Sequence, residues 1–312
     1  MYRIGIDLGG TTIAVGIVDE ANCIVASATT PTRASLGPEQ VADDIVQCIM
    51  NGLTLSGIEP EECPGIGIGS PGTCDCAAGI VRNAHNLGWE NVPVCEMLRS
   101  RLNLPVYLAN DADCSALGEL TAGAAQGRRS ALLITLGTGV GGGFVADGHI
   151  WSGHRNLGGE FGHMCICMDG VLCTCGERGC WEAYASASAL VKQAAAAANA
   201  HPESALNHYT PLDGKAIYTA SSTGDPTAVA VTERYARYVG IGLVNLVNAL
   251  YPEIILLAGG IAGAGAALLN PVRDYVNQHF FQRGTAILPE IQLAACGDKA
   301  GIIGAAALVP VR

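Results

Sequence analysis

Four residues of this chain have the types and spacing of a closed metal shell. His163 stands ten positions before Cys173, with Cys175 two further on and Cys180 five beyond that, in the run Cys173-Thr174-Cys175-Gly176-Glu177-Arg178-Gly179-Cys180. Three thiolates and one imidazole satisfy tetrahedral Zn²⁺, and four protein ligands leave no position for water or substrate, so the ion would be structural. Free buried thiols are the plainer alternative, but thiols packed this closely in a 312-residue chain without a secretory leader read as a metal site before they read as disulfides. The ion would stiffen the segment carrying Glu160, His163 and Glu182, so that polar side chains meet a ligand at fixed geometry. Two further pairs could compete for metal. Cys165 and Cys167 fit one face of a strand in Met164-Cys165-Ile166-Cys167-Met168, and Cys74 and Cys76 fit a turn, so neither pair is expected to ligate. Cys23, Cys48, Cys63, Cys95, Cys114 and Cys296 read as small buried apolar residues.

Two glycine-rich turns could bring backbone N–H groups to phosphate oxygens, because no Cβ blocks the approach: Leu8-Gly9-Gly10-Thr11-Thr12 and Gly137-Thr138-Gly139-Val140-Gly141-Gly142-Gly143. Either one alone is explained as well by a tight hairpin in which glycine supplies positive φ. The second contains G-x-G-x-x-G, yet Phe144-Val145-Ala146-Asp147-Gly148 continues as strand and turn, where a dinucleotide fold would open a helix. Gly214-Lys215 is followed by Ala216 and lacks the hydroxyl of a Walker loop. Asn110-Asp111 falls at a strand end just before a helix, where open α/β folds place ligand contacts and a helix N-terminus favours a carboxylate. The same pair is readable as an N-cap.

The elements that must position these groups are strands alternating with helices. Residues 2–7, 13–18 and 23–28 read as a β-meander turning at Asp19-Glu20-Ala21-Asn22. The segment returns 128 residues later: Gly5-Ile6-Asp7-Leu8-Gly9-Gly10 aligns on Leu133-Ile134-Thr135-Leu136-Gly137-Thr138, and Asp19 falls on Asp147. One architecture used twice is the reading. Pro38 opens a helix with Val41, Ile45, Cys48 and Ile49 on one face; residues 66–69 and 106–109 read as short buried strands, and 113–122 as a helix. Residues 181–200 are alanine-rich and helix-forming, Asp225-Pro226 starts a helix that Pro252 ends, and 254–258 is a buried strand. Glycines and Pro271 make 254–272 strand and loop, with no membrane span, and 301–309 is expected to be a helix packing back on the first half.

Composition narrows the function classes. With 49% hydrophobic and 14% charged residues the chain is a well-buried globule, folded throughout. A net charge of −11 removes the positive field by which proteins collect nucleic acid, so no nucleic-acid partner is expected. Any nucleotide must be held by local N–H groups and a cation. An alternating strand-like start, Met1-Tyr2-Arg3-Ile4-Gly5-Ile6-Asp7, argues against a signal peptide and for the cytoplasm.

Taken together, Asp7-Leu8-Gly9-Gly10-Thr11, Asn110-Asp111, the run 136–143, Glu160-Phe161-Gly162-His163 and the run 173–182 resemble the ROK family of bacterial sugar kinases and repressors. The resemblance spans nearly the whole chain, and the spaced E-x-G-H, C-x-C-G-x-x-G-C-x-E pattern is its specific part. It implies an α/β actin-like ATPase fold with two ribonuclease H-like lobes and a central cleft. The lobes expected are residues 1–114, joined by a C-terminal helix 300–312, and a larger 115–299 carrying the zinc loop. It also implies ATP and Mg²⁺: phosphate contacts from Gly9, Gly10, Thr11, Thr12, Thr138 and Gly139, the cation held partly through Asp7, and adenosine near Gly259 and Gly260. Asp111 would be the catalytic base, with Asn110, Glu160, His163 and Glu182 on sugar hydroxyls and Gly72 and Asn86 closing the pocket. His163 would use one ring nitrogen for zinc and the other for sugar. A homodimer is implied as well.

Within the family, Asn86-Leu87-Gly88-Trp89 and Gly159-Glu160-Phe161-Gly162-His163-Met164 are most similar to the glucokinases, implying glucose phosphorylated at its 6-hydroxyl. Kinases of N-acetylmannosamine or N-acetylglucosamine share the same core, and His85 stands where a glucokinase often has proline. Sugar-sensing repressors of the family carry an N-terminal helix-turn-helix, for which a phosphate turn beginning at residue 7 leaves no room. A zinc-ribbon interaction module would explain the cysteines but neither Asp111 nor the paired turns.

Overall fold

A computed structural model describes residues 1–282, 284 and 287–310. In chain order the elements begin with β1 (Arg3–Leu8), β2 (Thr12–Val18), β3 (Ile24–Pro31), α1 (Pro38–Ser56) and β4 (Ile66–Ser70). A small antiparallel sheet of β5 (Thr73–Asp75), β6 (Ile80–Ala84) and β7 (Trp89–Val92) follows, then α2 (Val94–Leu102), β8 (Val106–Asn110) and α3 (Asp111–Ala122). Next come β9 (Ser130–Leu136), β10 (Val140–Ala146), β11 (His149–Ile150), α4 (Glu182–Ala185), α5 (Ala187–Ala200), α6 (Gly214–Ser222) and α7 (Pro226–Leu250). The chain closes with β12 (Ile254–Ala258), α8 (Ala266–His279), β13 (Glu290–Leu293) and α9 (Ala300–Ala307).

The internal repeat is a repeat of topology. One five-stranded sheet runs β3-β2-β1-β4-β8 and the other β11-β10-β9-β12-β13, the same order of an antiparallel meander followed by parallel strands. This is the doubled ribonuclease H-like arrangement of the actin-like ATPase fold. By internal contacts the chain divides into a first unit, Met1–Leu133 with Gly143–Gly159 and Ala294–Arg312, and a second, Ile134–Gly142 with Glu160–Leu293.

In the first unit, alternation along β1 buries Ile4, Ile6 and Leu8 completely against Val41, Ile45 and Ile49 of α1. Helix α1 starts on Pro38 at its first position and stops at Gly57, which takes the left-handed conformation. On the other face of the sheet lies α9, so close that a Cβ on Gly5, Gly67, Gly118 or Gly304 would run into a neighbouring backbone carbonyl. The expected helix 300–312 is observed to Ala307, and residues 311 and 312 lie outside the described residues. Fully buried Glu119 of α3 accepts hydrogen bonds from the backbone N–H groups of Ala124, Ala295 and Cys296, which ties α3 to the approach to α9.

In the second unit, α7 begins at Asp225-Pro226 as its sequence requires, Asp225 accepting from Ala228 N–H, and ends on left-handed Tyr251 before Pro252. Trp181, wholly buried, donates its indole N–H to the Tyr238 carbonyl at 2.7 Å, and the Tyr235 hydroxyl donates to Ala185.

Several expectations are corrected. The helix over 181–200 is broken at Ser186, whose hydroxyl accepts from Ala189 N–H and caps α5. Pro271 lies inside α8 and does not end it, because Leu268, Leu269, Val272 and Val276 bury one face of that helix and tertiary packing outweighs local propensity. Met164-Cys165-Ile166-Cys167-Met168 is not a strand: only Cys165 pairs, in an isolated bridge with Cys180, and Cys165 and Cys167 are exposed. Cys74 is buried in β5, not placed in a turn, whereas Cys23 is exposed and Cys296 partly so. Among the described residues no helix is long and apolar enough to cross a membrane.

Candidate functional site

In the first unit the site is built at the ends of parallel strands. Strand β8 ends on Asn110, whose extended backbone makes it the N-cap of α3: Oδ1 accepts from Ala112 N–H at 2.9 Å, and Nδ2 donates to the Gly72 carbonyl at 3.0 Å. The capping reading of Asn110 is therefore realised, and its consequence is positional. It fixes Asp111 on the first helical residue, where the helix dipole favours a carboxylate, and Ala112 N–H donates to Asp111 Oδ1 at 2.8 Å. Gly72, at φ 83°, is drawn in by the same amide.

Asp7, on β1 across β4 from β8, is pushed up to about 6, first by burial and then by the negative charges of Asp111 and Asp298. Asp298, in the turn Gly297–Lys299 ahead of α9, is a group that sequence reasoning missed. Its one sequence cue was an acidic residue in front of an apolar helix. The charges of Asp111 and Asp298 both reach the half-buried Asp7 carboxyl, a repulsion that a divalent cation would relieve, so the chemistry at Asp7 fits Mg²⁺.

Between β1 and β2, Gly9 N–H donates to the Thr12 carbonyl at 2.9 Å and the Thr32 hydroxyl donates to the Gly9 carbonyl at 2.8 Å. Neither Gly9 nor Gly10 has positive φ, and nor do Gly137 and Gly139, so the alternative in which glycine supplies positive φ fails for both loops. Asn86 lies beside Gly10, its Cβ 3.0 Å from where a Cβ on Gly10 would be. Thr11 and Thr12 are exposed.

In the second unit the turn Gly137-Thr138-Gly139 closes with Gly137 N–H donating to the Gly139 carbonyl at 3.0 Å. Glu182, the first residue of α4, reaches back to it: Oε2 accepts from Val140 N–H at 3.0 Å, and a Cβ on Gly139 would stand 2.3 Å from that oxygen. The other oxygen accepts from the Thr174 hydroxyl at 3.2 Å and lies 3.8 Å from Cys173 Sγ. Glu182 thus couples the glycine turn to the cysteine loop, a role its place in the motif did not disclose.

The ligand atoms of His163, Cys173, Cys175 and Cys180 all lie within 4.8 Å of one another. His163 Nδ1 is 3.8 Å from Cys173 Sγ, and Cys175 Sγ is 3.6 Å from Cys180 Sγ. Bonds of about 2.3 Å from zinc to sulfur give tetrahedral edges of about 3.8 Å, which these two distances match, so the four groups are a donor set that fits the ion. Cys175 is held below the usual thiol range, first by a hydrogen bond from the Glu177 backbone. The geometry brings Nδ1 to the cluster and leaves Nε2 of the exposed ring pointing elsewhere. Glu160, exposed, precedes the turn Phe161–His163 and accepts through its carbonyl from His163 N–H at 3.0 Å. At the end of β12, Gly259 takes φ 88° and packs on Leu136, a position closed to any side chain, while the space at Gly260 is open.

A family model described as the ROK family matches residues 3–312. The chain is 36% identical to a glucokinase of Halalkalibacterium halodurans, covering 99% of this chain and 94% of that one, and 37% identical to a glucokinase of Streptomyces coelicolor, covering 98% and 96%. Among solved structures it is similar to a ROK family glucokinase from Streptomyces griseus in complex with glucose and AMPPNP, with a TM-score of 0.82, 35% identity and 99% of each chain covered.

Proposed function

This chain belongs to the ROK family, and we propose that it transfers the γ-phosphoryl group of ATP to the 6-hydroxyl of glucose. The observation that carries the reading is Asp111: a carboxylate fixed at the N-terminus of α3 by the Asn110 cap, with the cation-holding candidate Asp7 close enough to feel its charge. The similarity to a glucokinase determined with glucose and AMPPNP supports the choice of sugar and donor.

Asp111 accepts the proton of the sugar hydroxyl as the bond to phosphorus forms; a late proton transfer needs a positioned carboxylate more than a strong base. Asn110, Gly72 and Asn86 frame that hydroxyl in the first unit. In the turn from Gly9 to Thr12, which Gly9 N–H closes on the Thr12 carbonyl, the N–H groups of Gly10, Thr11 and Thr12 bond phosphate oxygens, and Asp7 holds the cation. Mg²⁺ supplies charge neutralisation across the phosphates when bound. In the second unit, Thr138 and Gly139 offer N–H groups to phosphate, Gly259 and Gly260 accommodate adenosine, and Glu160, Glu182 and His163 Nε2 bond sugar hydroxyls. Zn²⁺ on His163, Cys173, Cys175 and Cys180 is structural; its part is to hold His163 and, through Thr174, Glu182.

Release of ADP measured with Mg-ATP and a panel of glucose, mannose, N-acetylmannosamine and N-acetylglucosamine tests the reading. Turnover with glucose at the highest kcat/KM supports it. Preference for an N-acetylhexosamine would move the assignment to that kinase, and sugar binding without turnover would mark a regulator.

A further inference from the structure

Helix α9 approaches the site from the C-terminal end of the chain, and its second residue touches the carboxylate on β1. A Cβ built on Gly301 would lie 2.8 Å from Oδ2 of Asp7, 2.9 Å from Cγ and 3.3 Å from its Cβ. Gly301 has no positive φ, so backbone conformation does not call for glycine here; space does. Neither side can retreat. Asp7 is held in register between Ala14 of β2 and Gly69 of β4. Helix α9 is pinned to the same unit where Gly5 meets Ile302, Gly67 meets Ala305 and Gly304 meets Cys114, each at a distance that leaves no room for a methyl group. A side chain at 301 must therefore be accommodated by the Asp7 carboxylate, the one mobile group in the contact.

We propose that Gly301 is a positioning residue for phosphoryl transfer: the side chain it lacks determines where the Asp7 carboxylate stands, and hence how that carboxylate meets a divalent cation. The proposal rests on the reading of Asp7 as the cation-holding group. The same helix entry carries Asp298, whose charge acts on Asp7, so the segment 298–301 shapes the surroundings of this carboxylate from one direction.

Gly301→Ala tests this by two readouts. Binding of Mn²⁺ with AMPPNP, followed by electron paramagnetic resonance, should weaken about tenfold, with the Mg²⁺ concentration for half-maximal turnover rising in parallel and the KM for glucose unchanged. The packing control Ile302→Val, one residue along α9 in the cluster with Val18 and Ala306, should leave Mn²⁺ affinity at the parental value. Because Gly301→Ala could also impair folding, its denaturation midpoint is compared in the parent and in Asp7→Ala. Direct contact with the carboxylate requires the loss seen in the parent to shrink when residue 7 is alanine, which removes Oδ2 and Cγ and leaves only the Cβ contact. An equal loss in both backgrounds, or parental Mn²⁺ affinity in a folded Gly301→Ala, overturns the proposal. If Asp7→Ala itself binds Mn²⁺ and nucleotide normally, the assignment of Asp7 fails and the proposal with it.

Discussion

Asp7→Asn should make the ligand-free protein more stable while removing its metal-dependent turnover. The carboxyl of Asp7 rises from 3.8 to about 6 in the folded chain, first by burial and then through Asp111 and Asp298. A folded-state value above the unfolded one means that the native state favours the protonated form. The contribution of this site is then fully present below about pH 4 and is lost as pH rises through about 6. Above that, ionised Asp7 costs the fold about 3 kcal/mol, an upper figure because the group keeps some solvent contact. Asparagine has nearly the same shape and is neutral at every pH, so at pH 7.5 the variant should exceed the parent by about 1–3 kcal/mol. Urea denaturation of both proteins between pH 5.5 and 8, without nucleotide or divalent cations, measures the gap, which should narrow as the pH falls. Mg-ATP should stabilise the parent and not the variant. Equal stabilities at pH 7.5, or a gap that does not change with pH, would refute the account of crowded carboxylates around residue 7.

Three further outcomes follow from the same geometry. Asp111→Ala should lower kcat by about 10²–10⁴ with glucose affinity nearly retained, and a kcat close to the parent's rejects it as the base. Cys175→Ser should abolish stoichiometric zinc, measured by atomic emission, and weaken glucose binding through the loss of order at His163 and Glu182; unchanged metal content counts against the ligand set. Glu119→Ala, which leaves the N–H groups of Ala124, Ala295 and Cys296 without their buried acceptor, should cost about 3 kcal/mol or more in denaturant unfolding. A loss below about 1 kcal/mol would show that water replaces the carboxylate.

What the sequence determined by itself was local or repetitive. The cluster of His163, Cys173, Cys175 and Cys180 is legible because its members sit within eighteen residues, and a segment that short can gather four such groups only in a few ways. The Asn110 cap and the Asp225-Pro226 start are legible because capping is chemistry between neighbours. The doubled sheet is legible because the same hydrophobic alternation occurs twice. Only the tertiary structure decided the rest. Gly9 and Gly10 have no positive φ, and what calls for glycine there is space, against the Thr12 carbonyl and the Asn86 side chain, a distinction that the letters do not carry. Glu182 binds Val140 N–H and Thr174, and Asp298 and Gly301 come to Asp7 from the far end of the chain. Such meetings are set by how α4 and α9 pack, through many weak apolar contacts summed over a whole unit, and no local pattern of residue types encodes that sum.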